Sequence, residues 1–290
     1  MKYQECFKCG RIALEAAGIE EAALDARLLL EHVCSTDRNY LLVHGDNEVT
    51  AEQESSYFQI IDMRSRRIPL QHITGVQNFM GLDFQVNEHV LIPRQDTEIL
   101  VEEVLRQMSD GSRILDMCTG SGCILISLLH YSNWCEGVGA DISDKALEVA
   151  EKNALQLLGN KQPQCSCEFV RSNLFENVEG KFDIIVSNPP YIRSDVIETL
   201  MPEVKEYEPR QALDGSEDGL YFYRRIVEES CGFLKHGGML YFEIGYDQGV
   251  DVCGLMEQAG FTEIHVVKDY AGLDRVVYGR WTENRGADEY

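Results

Sequence analysis

The sequence predicts an α/β protein in which an open, largely parallel sheet flanked by helices follows a small helical domain. Three observations predict it. From about residue 95 onward, short apolar runs of strand length alternate with stretches of helical periodicity, the pattern of repeated βα units. One such unit, Ile114-Leu115-Asp116-Met117-Cys118-Thr119-Gly120-Ser121-Gly122 followed by Cys123 to Tyr131, reads as strand, glycine turn and helix. The first 75 residues, in contrast, place their apolar side chains at helical spacing. A chain of 290 residues can bury one sizeable core and a smaller one.

In chain order, Ala22 to Val33 carries a stripe of Leu24, Leu28, Leu29 and Val33, and Glu52 to Arg66 repeats it with Phe58, Ile61 and Met63. Residues 1–75 are therefore expected to form a helical bundle. Gly75 to Pro93 changes to alternating character, and Phe79-Met80-Gly81-Leu82-Asp83-Phe84 suggests a β-hairpin, so 76–94 is taken as a linker between domains. Asp96 or Thr97 then caps a helix through Met108 that Gly111 closes. Residues 95–290 form the larger domain. Its strands are expected at Ile114–Met117, Gly137–Asp141, before Asn173, and at Phe182–Val186, with helices at Cys123–Tyr131 and Lys145–Leu158. Gly238–Ile244, Gln248–Ala259, Thr262–Lys268 and Arg275–Trp281 close the sheet. The chain has no internal repeat or low-complexity segment.

The strand Phe182–Val186 runs into Asn188-Pro189-Pro190-Tyr191. Each proline holds the residue before it in extended backbone, so Asn188 and Pro189 stay out of the helical basin. The Asn188 side-chain oxygen and the Pro189 carbonyl then form a rigid pair of acceptors, matched to the two coplanar N–H groups of an amide or an exocyclic amine. Pro190 stiffens the frame and Tyr191 can pack on the flat face of the bound group. A strand followed by a proline-rich turn is the plainer reading, and for Tyr191 a place in the core is the plainer role. The tetrad points to methyl transfer onto a planar nitrogen because two acceptors stabilise a nitrogen that gains positive charge.

The glycine turn supplies the second part. Gly120 and Gly122 allow a sharp turn and a close approach of backbone to a ligand, and Asp116, Cys118, Thr119 and Ser121 complete the loop at the mouth of the next helix. The turn lacks the G-x-G-x-x-G of dinucleotide sites and the Gly-Lys-Ser/Thr of phosphate-binding loops. About 20 residues on, Gly137-Val138-Gly139-Ala140-Asp141 ends a second strand in an acid, at the spacing used to grip ribose hydroxyls. Asp141 could instead cap the following helix, a task Ser143 or Asp144 could also perform. An adenosine site without a pyrophosphate fits S-adenosylmethionine. Asn173 and Leu174, after the third strand, are expected near the adenine. Glu243 ends a strand on the ligand-bearing edge, where it would bind the substrate amide or cap the next helix. Arg94 and Glu98 would pair with each other over the cofactor or on the surface.

The chain carries 26 basic against 49 acidic residues, a formal net charge of -23. Docking on a phosphate backbone calls for a basic face. Direct binding of nucleic acid is therefore not expected, whereas a basic protein partner is. Solubility alone is the other use of such charge. No run approaches the roughly 20 apolar residues of a membrane span and no leader is evident, so a cytoplasmic protein is expected. Its 10 cysteines are scattered. Cys6-x-x-Cys9 and Cys165-x-Cys167 lack the further ligands of a zinc site, so reduced thiols and no metal are expected. A monomer is expected.

Along almost its whole length the chain resembles the release factor glutamine methyltransferases of the PrmC/HemK type. The resemblance rests on Ile92-Pro93-Arg94-Gln95-Asp96-Thr97-Glu98, on Asp116 to Gly122, on Asn188 to Tyr191, on Glu208-Pro209-Arg210, and on Ala212-Leu213-Asp214-Gly215 continuing through Glu217-Asp218-Gly219-Leu220. It implies a seven-stranded Rossmann-like S-adenosylmethionine-dependent methyltransferase domain behind an N-terminal helical substrate-recognition domain. It also implies methylation of the glutamine side-chain amide, at N5, in the Gly-Gly-Gln motif of bacterial peptide chain release factors. Cys118 stands where that family commonly has glycine, and Asn173 where it usually has aspartate. An N6-adenine methyltransferase of DNA or RNA is the alternative enzyme, since the tetrad would hold an adenine amino group by the same logic. A non-catalytic S-adenosylmethionine-binding regulator would not need the tetrad at all.

Overall fold

The computed structural model describes residues 1–159 and 164–282; the remainder of the 95–290 span lies outside the described residues. The chain divides into two units, one of residues 1–76 and 201–207 and the other of 77–200 and 208 onward. The expected boundaries are thus revised in two places: the hairpin belongs to the second unit from Gln77, and seven residues of the second half pack with the helical unit.

The helical unit consists of α1 (Tyr3–Ala16), α2 (Ala22–Cys34), α3 (Arg38–Val43), α4 (Ala51–Ser65) and α5 (Leu70–Thr74). Thr50 opens α4 with a capping box, its hydroxyl accepting from Gln53 N while Gln53 accepts from Thr50 N. Leu14, Ala26, Leu29, Leu30, Tyr57 and Ile61 form the core, and the Tyr57 hydroxyl donates to the Ala26 carbonyl. The α2 stripe is rotated from the expected one, because Ala26 and Leu30 turn inward and Leu24 is left exposed. Residues 201–207 join this unit through charge: Glu203, buried, accepts from Arg64 at 3.1 Å and Arg67 at 3.0 Å, and Arg64 also donates to buried Asp25 at 2.7 Å.

The second unit opens with the hairpin β1 (Val76–Phe79) and β2 (Leu82–Gln85), turned by Met80 and Gly81, both at positive φ. It continues with α6 (Gln95–Gln107), β3 (Arg113–Met117), α7 (Cys123–Tyr131), β4 (Glu136–Asp141), α8 (Asp144–Leu158), β5 (Ser166–Arg171) and β6 (Phe182–Ser187). The short helix α9 (Ser194–Ile197) follows; α10 (Pro202–Lys205) belongs to the helical unit, and a 3-10 turn at Arg210–Ala212 then leads to α11 (Tyr221–Ser230), β7 (Leu234–Glu243), α12 (Gly249–Ala259), β8 (Phe261–Lys268) and β9 (Asp274–Trp281). The sheet has seven strands in the order β5-β4-β3-β6-β7-β9-β8, parallel from β5 to β7 and antiparallel beyond. The long apolar runs of β3 and β6 follow from their central position, covered on both faces by helices. After β3 the chain builds outward to β5 and returns to lay β6 beside β3, with Met117 opposite Ser187. That reversal opens a crevice at the carboxyl ends of β3 and β6, where open α/β sheets bind ligands.

Among the described residues no helix is long and apolar enough to cross a membrane, and no group of three or more His, Cys, Asp or Glu could hold a metal ion. All ten cysteines are free.

Candidate active site

A cavity of about 430 Å³ opens at the ends of β3, β4, β5 and β6. Of the residues expected at the cofactor, Cys118, Gly120, Asp141, Asn173, Leu174 and Asn188 line it. Asp116, Thr119, Ser121 and Gly122, also expected there, do not line it. The buried Asp116 accepts from the Thr119 hydroxyl at 2.6 Å and from Leu125 N at 3.3 Å, tying the end of β3 to the first turn of α7. Burial pushes its carboxyl up to about 7, against the pull of those two donors. Gly120 sits at φ +55 with open space where a side chain would project, and its N–H donates to Asp141 at 3.0 Å.

Asp141 is not the cap of α8. That cap is Ser143, whose hydroxyl accepts from Ala146 N, while Asp141 accepts from Ser143 N at 2.9 Å and keeps its carboxylate at the cavity wall. Burial raises its pKa, and three backbone N–H groups oppose that shift. Two non-glycine residues on the wall, Cys118 at φ +63 and Leu174 at φ +53, hold left-handed backbone. Glycine would take the backbone of position 118 without strain. The strain costs on the order of 1–3 kcal/mol per residue and persists only where the surroundings over-determine it. Asn173 lies on the wall with its amide engaged by Glu176 at 2.7 Å and Arg225 at 3.4 Å.

Asn188 and Pro190 also line the cavity, whereas Pro189, expected as the second acceptor, does not. Asn188 Nδ2 donates to Thr97 Oγ1 at 3.4 Å, which leaves Oδ1 as the amide atom available to a ligand. Among the described residues the Pro189 carbonyl receives no hydrogen bond. Tyr191 and Glu243 are not on the cavity wall. The Tyr191 hydroxyl donates to Glu243 Oε1 at 3.3 Å, and Glu243, only 1% exposed, lies buried with Oε2 lacking a partner. Burial lifts the Glu243 carboxyl to about 7, opposed by the nearby Thr97 hydroxyl, the charge of Arg275 and the Tyr191 hydroxyl. Tyr191 is held as the neutral phenol by burial and by the neighbouring carboxylate.

The tetrad is clamped from outside by Gln248, which no sequence pattern marks, and by the Ala-Leu-Asp-Gly run. Gln248 Nε2 donates to the carbonyls of Tyr191 at 3.1 Å and Gly219 at 3.2 Å, while its Oε1 accepts from Gly245 N at 2.9 Å. Ile192 N donates to Leu213 O and Gly215 N to Ile192 O, a short bridge that lays residues 213–215 along the tetrad. A side chain on Gly215 would come within 2.7 Å of the Tyr191 backbone, so only glycine permits this approach.

Two expectations about α6 are corrected. Its first residue is Gln95, so Thr97 lies inside the first turn rather than capping it, and its buried hydroxyl faces Asn188 instead. Arg94 and Glu98 do not pair with each other: Arg94 binds the buried Glu208, and Glu98 accepts from Met80 N at 2.7 Å. Both carboxylates are taken by partners remote in sequence, which a local spacing rule cannot see.

Residues 5–75 match the family model described as the PrmC N-terminal domain, and residues 94–203 match the methyltransferase small domain. The chain is 42% identical over 272 residues to a release factor glutamine methyltransferase of Clostridium botulinum, covering 92% of this chain and 95% of that one. It is 40% identical over 273 residues to the protein of the same name from Agrobacterium fabrum, covering 92% and 93%. Among solved structures, a methyltransferase from Pyrococcus furiosus shares the fold, with a TM-score of 0.54 at 17% identity over 76% of this chain and 99% of that one.

Proposed function

The chain belongs to the release factor glutamine methyltransferase family, and from that membership we propose that it transfers the methyl group of S-adenosylmethionine to the side-chain amide nitrogen of the Gly-Gly-Gln glutamine in bacterial peptide chain release factors. The observation that carries this reading is that Asn188, an amide acceptor, and Asp141, a ribose-matching carboxylate, line one cavity.

The residues present fit the cofactor. Asp141 offers acceptors to vicinal hydroxyls, Gly120 leaves room for close approach, and Ile142, Leu174 and Phe222 give the apolar walls a purine requires. When bound, S-adenosylmethionine supplies a methyl group already activated by its sulfonium charge. The protein's share concerns the nitrogen. An amide nitrogen is a poor nucleophile because its lone pair is delocalised into the carbonyl, and it gains reactivity as its N–H bonds are polarised. Asn188 Oδ1 and the Pro189 carbonyl accept those two N–H bonds, and they bind more strongly as positive charge grows on the nitrogen, so they favour the transition state over the ground state. The prolines and the clamp formed by Gln248 and Gly215 hold the two acceptors still, which keeps the reacting atoms aligned. No strong base is needed before transfer. Tyr191, off the cavity wall and anchored through its hydroxyl to Glu243, braces the tetrad.

Methylation of adenine would use the same acceptors, but the net charge of -23 opposes docking on a phosphate backbone. Incubating the protein with radiolabelled S-adenosylmethionine and purified release factor, with duplex DNA in parallel, tests the proposal. Label is expected on the glutamine of the release factor and not on the DNA; label on the DNA alone would overturn it.

A further inference from the structure

We propose that Arg94 and Glu208 are positioning residues for the cofactor, their ion pair fastening residues 209–212 against the cavity and so setting how long S-adenosylmethionine is held; this rests on the cofactor reading given above.

The cavity draws part of its wall from two stretches that lie outside the strands. His89, Val90 and Leu91 form one, and Pro209, Gln211 and Ala212 the other. Arg94 lies just beyond the first and Glu208 directly before the second, and Arg94 Nη2 donates to Glu208 Oε1, so one contact ties the two stretches together. The partners are unequal. Arg94 starts α6: its carbonyl accepts from Thr97 N at 3.1 Å, and that helix is seated in the core through Leu100, Val101 and Val104. It is the fixed post. Glu208, kept in extended backbone by Pro209, leads into the 3-10 turn Arg210–Ala212, none of whose residues is buried. The turn therefore has no core side chain to hold it down. Its far end is tied where Ile192 meets Leu213 and Gly215. Arg210 pairs with Glu198 and Asp214 while itself 59% exposed, and pairs of that kind contribute little. The near end depends on Glu208, whose side chain is 2% exposed against 40% for Arg94, and whose Oε2 is buried without a hydrogen-bond partner. Removing the guanidinium would leave an uncompensated buried charge. The carboxylate must then take a proton or turn out to water, and turning out draws 209–212 off the cavity. A wall that is in place only part of the time weakens cofactor binding in proportion.

The test compares full-length Arg94→Met, Arg94→Lys, Glu208→Gln and the Arg94→Met/Glu208→Gln double variant with wild type. Calorimetry gives Kd for S-adenosylmethionine, stopped-flow its dissociation rate, and thermal unfolding is followed in parallel. Arg94→Met should raise Kd about tenfold, mostly through faster dissociation, and Glu208→Gln about threefold to tenfold. Lysine keeps the charge and should return Kd to within about threefold of wild type. The double variant should bind no more weakly than Arg94→Met alone, because both residues act through one contact. KM for intact release factor should stay within about twofold in all of them, since Gln248 and Gly215 hold the tetrad separately. Wild-type Kd and dissociation rate in folded Arg94→Met and Glu208→Gln would overturn the inference, and a lower melting temperature with them would make the pair purely structural. Single effects that add in the double variant would also overturn it. If Arg94→Met fails to fold, a wild-type Kd in Glu208→Gln is sufficient to overturn it. Absence of S-adenosylmethionine binding by the wild-type protein would instead sink the cofactor reading, and this inference with it.

Discussion

At the scale of single residues, the site is built from polar groups whose roles are set by burial. Asn188→Ala removes one of two transition-state acceptors and is expected to lower kcat by about 3 kcal/mol in barrier terms, the size seen when an oxyanion-hole donor is deleted. Calorimetric cofactor affinity should remain near wild type. Asp141→Ala should weaken cofactor binding by about 1.5 to 3 kcal/mol, the range for hydrogen bonds to a charged group. Because Ser143 rather than Asp141 caps α8, thermal unfolding of that variant should be nearly unchanged. A fall in melting temperature without a change in affinity would contradict the ribose role. Glu243 allows a prediction in pH. Its pKa rises from 4.5 to about 7 in the folded chain through burial, offset in part by Thr97, Arg275 and Tyr191 and reinforced by Asp96. The folded state therefore holds this proton more tightly than the unfolded one, and stability falls as pH rises between those values. Relative to wild type, Glu243→Gln should gain stability across that window, by up to about 3 kcal/mol. Denaturant titrations of both proteins at pH values below and above the window measure the difference.

At the scale of elements, the tetrad after β6 is held by segments that carry no chemistry of their own. Residues 213–215 pair with Ile192, and Gly215 meets the backbone of Tyr191 and Pro190 rather than any flexible side chain. Gly215→Ala must therefore displace main chain. It is expected to lower kcat at least about tenfold while leaving cofactor affinity within about twofold, since Asp141 and the β3 turn are untouched. Steady-state kinetics with separate cofactor titration would check this, and a kcat equal to wild type would show that the bridge does not hold the tetrad. This contact also gives a physical reason for the Ala-Leu-Asp-Gly run: its glycine serves the neighbouring strand end. In the helical unit, α10 is secured by Glu203 between Arg64 and Arg67. A buried carboxylate with two guanidinium partners is costly to break from one side only, about 3 to 5 kcal/mol.

At the scale of the whole molecule, the net charge of -23 is the property that bears on the partner. If acidic surface draws in a basic release factor, raising ionic strength should slow association and raise KM for the intact factor, because the screening length shortens to about 8 Å at physiological salt. A short Gly-Gly-Gln peptide presents the reacting amide without an extended charged surface. Its KM should be higher at low salt and change much less as salt is added. Equal salt dependence for the two substrates would assign the charge to solubility alone.

The sequence by itself determined the alternation of strands and helices, the glycine turn after β3, the acid ending β4 and the proline-stiffened tetrad after β6. These are local: hydrophobic periodicity, positive-φ turns and the fixed φ of proline act within a few residues, so pattern alone exposes them. The helix Cys123–Tyr131 and the strand ending at Asp141 stand where the pattern puts them. Which neighbour each polar side chain meets was decided only by tertiary structure. Arg94 meets Glu208 across 114 residues, Gln248 reaches Tyr191 across 57, and Thr97 faces Asn188 across 91. Nothing in their local sequence could foretell it. Nor could local pattern assign residues 201–207 to the helical unit, since α10 is too short to show periodicity and is held by two arginines from α4 and the turn after it. Motifs mark the groups that touch ligands, because close approach restricts backbone; the groups that hold them, such as Gln248 on the Tyr191 carbonyl, are placed by burial in a core assembled from distant segments.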